Sequence, residues 1–356
     1  MGYTNQDTFG KRLIQVTPEI LSKVALIEEL KGSWNAGVRL SPQTLGSLKR
    51  SVLITSTGAS TRIEGAKLSD EEVGNALKGL AIEKFESRDI QEVKGYFELL
   101  EQVFNAWKDI KLNEGSIKHF HKELLKYVEK DRLHLGEYKN KDNQVRMIGP
   151  KGEDLGIVFD TTPAYLTPIK MRELVEWTNE SFSQKSYHPL LIIGNFLVEF
   201  LKIHPFEDGN GRLSRILTNL LLLQVGYAYT PYVSHEKLIE DRKVDYYLAL
   251  RGSQSTFKTK NDNIINWLNF FLDIIATQSR VAIDLLGNSD IENVLSPKQL
   301  AVWRYLQESE EVSRADIVKA TEIPAITANQ ALTKLLHLKK IGRLGTGPGT
   351  RYKVIN

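Results

Sequence analysis

The stretches Leu190 to Ile203 and Leu213 to Val225 are apolar almost all the way round a helical wheel. A helix without a polar face has to lie inside other structure, so these two are expected to be central helices of a helical core. Neither spans a membrane. Pro189 to Ile203, the best candidate, is interrupted by Gly194, Asn195, Glu199 and Lys202, and no run in the chain reaches the roughly 18 apolar residues a span needs. Between the two lies a short polar loop containing two glycines, held at both ends by buried structure.

Most of the remaining chain also reads as helix, with apolar residues recurring at three and four. Ile20 to Leu30 and Ser41 to Ser56 are such segments. Asp89 to Trp107 is longer and amphipathic, with Val93, Tyr96, Phe97, Leu100 and Phe104 on one face. Ser116 is the expected N-cap of a helix carrying Ile117, Phe120, Leu124 and Leu125. Gln144 to Asp160 departs from the pattern: Val145, Met147 and Ile157 to Phe159 flank Gly149-Pro150-Lys151-Gly152, which predicts a short hairpin. A Pro-containing stretch, Thr161 to Pro168, leads into the next helix, and the polar, glycine-containing Gly287 to Asp290 reads as a linker. A length of 356 residues exceeds one average domain. The expected organisation is an N-terminal helical region over 1–110, a core with its following helices over 111–286, and a further domain over 290–356.

Cysteine is absent, which excludes disulfides, thiolate catalysis and cysteine-bound metals. The first residues, MGYTNQDTFGKRL, hold no apolar stretch resembling a secretory signal, so a cytoplasmic protein without membrane association is expected. A net charge of +3 is too weak to imply nucleic acid for the whole chain. Its distribution is uneven. Leu295 to Asn356 holds ten Lys/Arg against five Asp/Glu, leaving 37 against 39 elsewhere.

The loop between the central helices reads HPFEDGNGRLSR over 204–215. Gly209 and Gly211 permit backbone conformations that turn amide N–H groups inward together as an anion-binding nest. The helix starting there adds its positive dipole end, where phosphate prefers to sit. Arg212 and Arg215, three apart, lie on one helix face and suit bidentate contact with phosphate. Asp208 offers a hard oxygen, and Mg²⁺ on phosphates takes one or two carboxylates. His204 is the nearby side chain whose ordinary pKa suits a general base at neutral pH. Each part alone also has an ordinary structural reading, as cap, turn, salt bridge or core residue. Together, within twelve residues, they describe phosphoryl chemistry.

The string resembles the signature of the Fic family, H-P-F-x-[D/E]-G-N-G-R-x-x-R, at every defined position. The resemblance implies a mainly α fold, a helical core with a short β-hairpin flap, that uses ATP and Mg²⁺ to transfer AMP to Ser, Thr or Tyr of a target protein. Carried over, His204 would deprotonate the attacking hydroxyl, Asp208 would hold Mg²⁺, and Gly209, Asn210 and Gly211 would cradle phosphates. Arg212 and Arg215 would hold the β- and γ-phosphates, and Phe206 would anchor the loop. The related Doc subgroup, which resembles a kinase, has Lys in place of the second motif glycine; Gly211 favours AMP transfer. The hairpin over 144–160 would be the flap, receiving the target protein as an added strand.

Upstream, residues 60–65 read STRIEG and resemble the family's inhibitory pattern, [S/T]-x-x-x-E-[G/N], in Ser60, Glu64 and Gly65. The resemblance implies an N-terminal inhibitory helix whose Glu64 pairs with Arg215 and blocks seating of the γ-phosphate. The other reading is a plain helix end at Gly65.

From Ser296 onward, three helices and a hairpin are expected, resembling a winged helix-turn-helix. Ser296-Pro297 begins the first helix, Ser313 caps the second, a turn at Glu322 to Pro324 leads to the third over Thr327 to Leu338, and strands at Ile341 to Leu344 and Arg351 to Val354 flank the wing Gly345 to Gly349. Lys334, Lys339, Lys340, Arg343, Arg351 and Lys353 suit DNA phosphates, and Thr327, Asn329, Gln330 and Thr333 suit base edges. Winged helices serve as protein-contact modules too, so DNA contact through 290–356 stays open as a partner. That keeps a second function in play: a DNA-binding transcription regulator whose core acts as a nucleotide sensor or autoregulator. A homodimer is compatible with either.

Overall fold

The structure, a computed structural model, describes residues 6–38, 40–79, 88–128, 134–148, 154–257, 259–338, 340–345 and 347–355. Two compact units divide at 283/284. The first is mainly helical: α1 (Gln6–Ile14), α2 (Pro18–Gly37), α3 (Pro42–Ile63), α4 (Asp70–Gly79), α5 (Arg88–Ala106), α6 (Glu114–Leu125), a hairpin β1 (Gln144–Ile148) and β2 (Asp154–Asp160), then α7 (Thr167–Gln184), α8 (Pro189–Ile203), α9 (Asn210–Gln224), α10 (His235–Asp241), α11 (Lys243–Gln254) and α12 (Ile265–Val294).

The apolar pair forms the centre as expected. In α8, Leu190, Ile192, Ile193, Phe196, Val198, Phe200 and Ile203 are wholly buried, and in α9 Leu213, Ile216 and Leu222 are too. The polar interruptions of α8 are used rather than tolerated. Asn195 Nδ2 donates to Phe9 O at 2.9 Å and Glu199 Oε2 accepts from Arg12 Nη1 at 2.7 Å, fastening α1 to the core. Gly194 O accepts from Trp267 Nε1 at 2.7 Å, and a Cβ at 194 would stand 2.6 Å from a Leu268 methyl. Glycine at that point lets α12 approach α8.

Sequence capping signals set most helix starts, with one correction. α6 begins at Asn113, whose Oδ1 accepts from Ser116 N at 2.8 Å, so Ser116 lies inside the first turn instead of capping it. Asn is as good a cap as Ser, and here it comes first in the chain. The hairpin is antiparallel, pairing Gln144 with Asp160 and Ile148 with Asp154; its turn, Gly149 to Gly152, lies outside the described residues. The expected linker at Gly287 to Asp290 is helical: α12 continues through it to Val294, because one glycine in a helix lowers its stability without ending it, and the division between the units falls just before it.

The second unit holds α13 (Pro297–Gln307), β3 (Val312–Ser313), α14 (Arg314–Thr321), α15 (Ala325–His337), β4 (Ile341–Leu344) and β5 (Arg351–Val354). Capping boxes at Ser296/Gln299 and Ser313/Asp316 start α13 and α14. The strands order β3-β5-β4, all antiparallel, and Val302, Trp303, Leu306, Ile317, Leu332, Leu335 and Ile341 form the core beneath them. Lys339 lies outside the described residues.

Candidate active site

His204 ends α8 in the left-handed conformation, with φ 51° and ψ 61°, and its N–H still bonds to Phe200 O at 2.9 Å. That turn sends the chain sideways into the loop. Phe206 is wholly buried and stacks on His121, ring centroids 3.9 Å apart and planes 5° apart. Asn210 ties the loop to itself, its Oδ1 accepting from Phe206 N at 3.0 Å and its Nδ2 donating to Phe206 O at 2.8 Å. The Asn210 side chain thus shapes the loop, which leaves its backbone N–H as the group available to an anion. Gly209, at φ 78°, stands before α9 with no side-chain cap, so the N-terminal amides of α9 keep their positive end uncapped.

His204 is half-buried. Burial first, and then the Lys139 ammonium, push its pKa down to about 4. Its Nδ1 lies 3.3 Å from Leu201 O, which assigns the proton to Nδ1 and leaves Nε2 with a lone pair. The ring is therefore neutral and basic at Nε2 at physiological pH. His121 has the reverse arrangement: its Nδ1 accepts from Gly136 N at 3.0 Å, so Nε2 donates to Asp208 O at 3.1 Å. Burial pushes that imidazole to about 4 as well. His121 holds the loop's backbone.

Asp208, Arg212, Glu92 and Arg88 close a ring of alternating charge. Asp208 Oδ1 accepts from Arg212 Nη2 at 3.0 Å, Arg212 Nη1 meets Glu92 Oε2 at 2.6 Å, Arg88 Nε donates to Glu92 Oε1 at 2.8 Å, and Arg88 Nη2 donates to Asp208 Oδ2 at 2.5 Å. Burial alone would raise the Asp208 pKa, but Arg212, the Gly209 N–H and Arg88 outweigh it and hold the carboxyl below its ordinary range.

Arg215 faces another segment. Its Nε donates to Ser60 Oγ at 2.8 Å, and its Nη2 donates to Ser60 O at 2.9 Å and Glu64 Oε1 at 2.8 Å. Ser60 and Glu64, four apart, read it from the end of α3, and Gly65 at φ 109° turns the chain away. Burial works against the Arg215 charge, and Glu64 more than restores it, raising the pKa. The Glu64 carboxylate also lies over the loop: a Cβ on Gly211 would stand 2.2 Å from Glu64 Oε1. Behind Arg215, Asn219 Nδ2 reaches the buried Glu236 at 2.7 Å, and Tyr96 OH donates to the same carboxylate at 3.0 Å.

The sequence motif thus comes together as one site around 204–215, joined by Ser60, Glu64 and Gly65 from α3. The two arginines do not share one partner: Arg212 is committed to Glu92 and Asp208, and Arg215 to Ser60 and Glu64. Sequence reasoning missed Glu92, Arg88, His121 and Lys139. Glu92 carried a signal, since it lies four residues before Tyr96 on the apolar face of its helix, where a carboxylate needs a buried partner.

Residues 111–222 match the Fic/DOC family. The chain is 28% identical over 156 residues to a probable protein adenylyltransferase of Aquifex aeolicus, covering 41% of this chain and 47% of that one. It is 33% identical over 114 residues to the protein adenylyltransferase Fic of Drosophila willistoni, covering 31% and 20%. The match thus spans about half or less of the curated relatives' length. Among solved structures, a Fic family protein of Desulfovibrio desulfuricans superposes with a TM-score of 0.62 at 25% identity, covering 96% of this chain and 97% of that one. Its cover reaches nearly the whole chain, where the family match covers the loop and the helices on either side. Residues 111–222 thus carry a Fic/DOC family domain.

Proposed function

We propose that this protein transfers AMP from ATP to a Ser, Thr or Tyr hydroxyl of a target protein, and that Glu64 holds it in an inhibited state. The observation that carries the reading is His204, its Nδ1 turned to Leu201 O and its Nε2 left to accept a proton, beside the uncapped N-terminus of α9. In the proposed reaction the target oxygen forms a bond to the α-phosphorus, the bond to the β-phosphate oxygen breaks, pyrophosphate leaves, and Nε2 takes the hydroxyl proton. The amides of Asn210 and Gly211 and the Arg215 guanidinium stabilise the phosphates, a task of positioning and charge, while the Gly209 N–H stays on Asp208 Oδ1.

The residues fit Mg²⁺ in one way only. Among the described residues no group of three or more His, Asp or Glu forms a metal cluster, whereas Asp208 is a single, partly exposed hard oxygen ligand. Such a site suits an ion whose shell the nucleotide phosphates complete, and Mg²⁺ bound there with ATP supplies charge neutralisation of the triphosphate.

Inhibition follows from competition. Glu64 and the γ-phosphate are anions with one guanidinium between them, and the carboxylate fills space above Gly211. A target segment added as a strand to the hairpin over 144–160 would present its hydroxyl to His204. Separately, the second unit suits a winged helix that contacts DNA. The solvent face of α15 exposes Asn329, Gln330 and Thr333, and Arg343, Arg351 and Lys353 are exposed on the neighbouring strands.

The test is label transfer by full-length Glu64→Gly enzyme incubated with lysate. We expect label from α-labelled ATP on protein, none from γ-labelled ATP, and none with His204→Ala added. Transfer of γ-label, or transfer that survives His204→Ala, overturns the reading.

A further inference from the structure

The chain on either side of the hairpin is bonded directly to the loop that carries His204. Thr162 N donates to Lys202 O at 3.1 Å, Lys139 Nζ to Ile203 O at 3.1 Å, Lys139 N to Pro205 O at 2.8 Å, and Asn143 Nδ2 to Phe206 O at 3.1 Å. The carbonyls on both sides of His204 therefore accept from the hairpin's two roots. Lys139 joins all three segments. Besides Ile203 O, its ammonium donates to Asn143 Oδ1 before β1 and to Thr161 Oγ1 after β2, each at 2.8 Å.

Lys139 is 3% exposed. Three acceptors match the three N–H groups of an ammonium, so it is fully satisfied. A residue serving only to fill space there would be apolar, because burying a charge is costly without such partners. Burial pushes its pKa down to about 8, so the charge is largely retained near neutral pH.

We propose that Lys139 is a positioning residue that fixes the roots of the hairpin to the His204 loop, and so sets where a target hydroxyl held by the hairpin lies relative to Nε2. The proposal rests on the reading of AMP transfer above. It adds that target docking and base are one mechanical unit.

The experiment uses the full chain carrying Glu64→Gly, with Lys139→Met or Lys139→Arg added. Misplacement of reacting groups by an ångström costs about 10²-fold, so Lys139→Met should lower kcat by that order while the KM for ATP stays within about twofold. Lys139→Arg, which keeps charge and donors, should recover part of the loss. The charged groups acting on His204 are Lys139, Glu64 and Asp208, so the His204 imidazole should titrate higher in Lys139→Met, as followed by NMR. Should Lys139→Met fail to fold, Thr161→Val removes one acceptor and should show the same split between kcat and KM. An unchanged kcat in folded Lys139→Met overturns the proposal. If Glu64→Gly transfers no AMP at all, the functional reading fails instead, and amide exchange of β1 and β2 decides: faster exchange in Lys139→Met supports the role of Lys139, and unchanged exchange overturns it.

Discussion

Arg212 and Arg215 stand one turn apart on α9 and are equally buried, at 2% exposure, yet their acids come from different kinds of place. Arg212 is paired with Glu92, itself buried in α5, and with Asp208 of its own loop, and Arg88 closes that set into a ring. Arg215 is paired with Glu64, which arrives from 151 residues away at the end of α3 and keeps a third of its side chain exposed. A buried acid on a core helix cannot leave without stranding a buried cation, which is strongly unfavourable. An acid at a helix end, partly in water, can leave and be replaced by a phosphate. On the proposed reading, the first pair is scaffold and the second exchanges its acid for a phosphate.

Denaturation separates the two most sharply. Glu92→Gln strips the buried counter-charge from Arg212 and should lower unfolding stability by about 3 kcal/mol in urea titration. Arg88→Ala touches the same ring at its exposed corner and should cost under about 1 kcal/mol, because exposed ion pairs contribute little. Equal costs would mean that the ring has no buried half.

His204 gives the finest reading, since Glu64 and Asp208, one acid from each pair, both act to raise its pKa against burial and Lys139. Protonation removes the base, so kcat/KM should fall only as pH drops through the free-enzyme value, about 4. In Glu64→Gly the limb should move slightly lower, because one acid is gone. A limb near the ordinary histidine value of about 6.5 would show that burial does not control this ring.

The motif was legible because its parts are adjacent: a nest, a base and two cations within twelve residues need no knowledge of distant packing. The central helices were legible for a similar reason, as residues apolar on every side have one place to go. Glu64 was found through its pattern with Ser60 and Gly65. Lys139, by contrast, looks like any surface lysine, and only its meeting with Asn143, Thr161 and Ile203 O gives it a role. Arg88 reads as an ordinary first-turn residue until Asp208, 120 positions on, is placed beside it. At α6 the expected cap is Ser116, and the structure caps the helix three residues earlier with Asn113.

In the proposed inhibition, Glu64 restrains chemistry by holding Arg215 more than it excludes nucleotide. The direct measurement compares wild-type and Glu64→Gly full-length protein for the rate of AMP incorporation and, by calorimetry, for ATP affinity. Competition of two unit charges for one guanidinium near 4 Å sets a ceiling of about a thousandfold at an effective dielectric near 20. We expect the rate to rise on the order of 10²-fold or more, within that ceiling, while the ATP Kd changes by less than about tenfold. A rate that stays at the wild-type level, or that rises only in step with affinity, would rule out this role for Glu64.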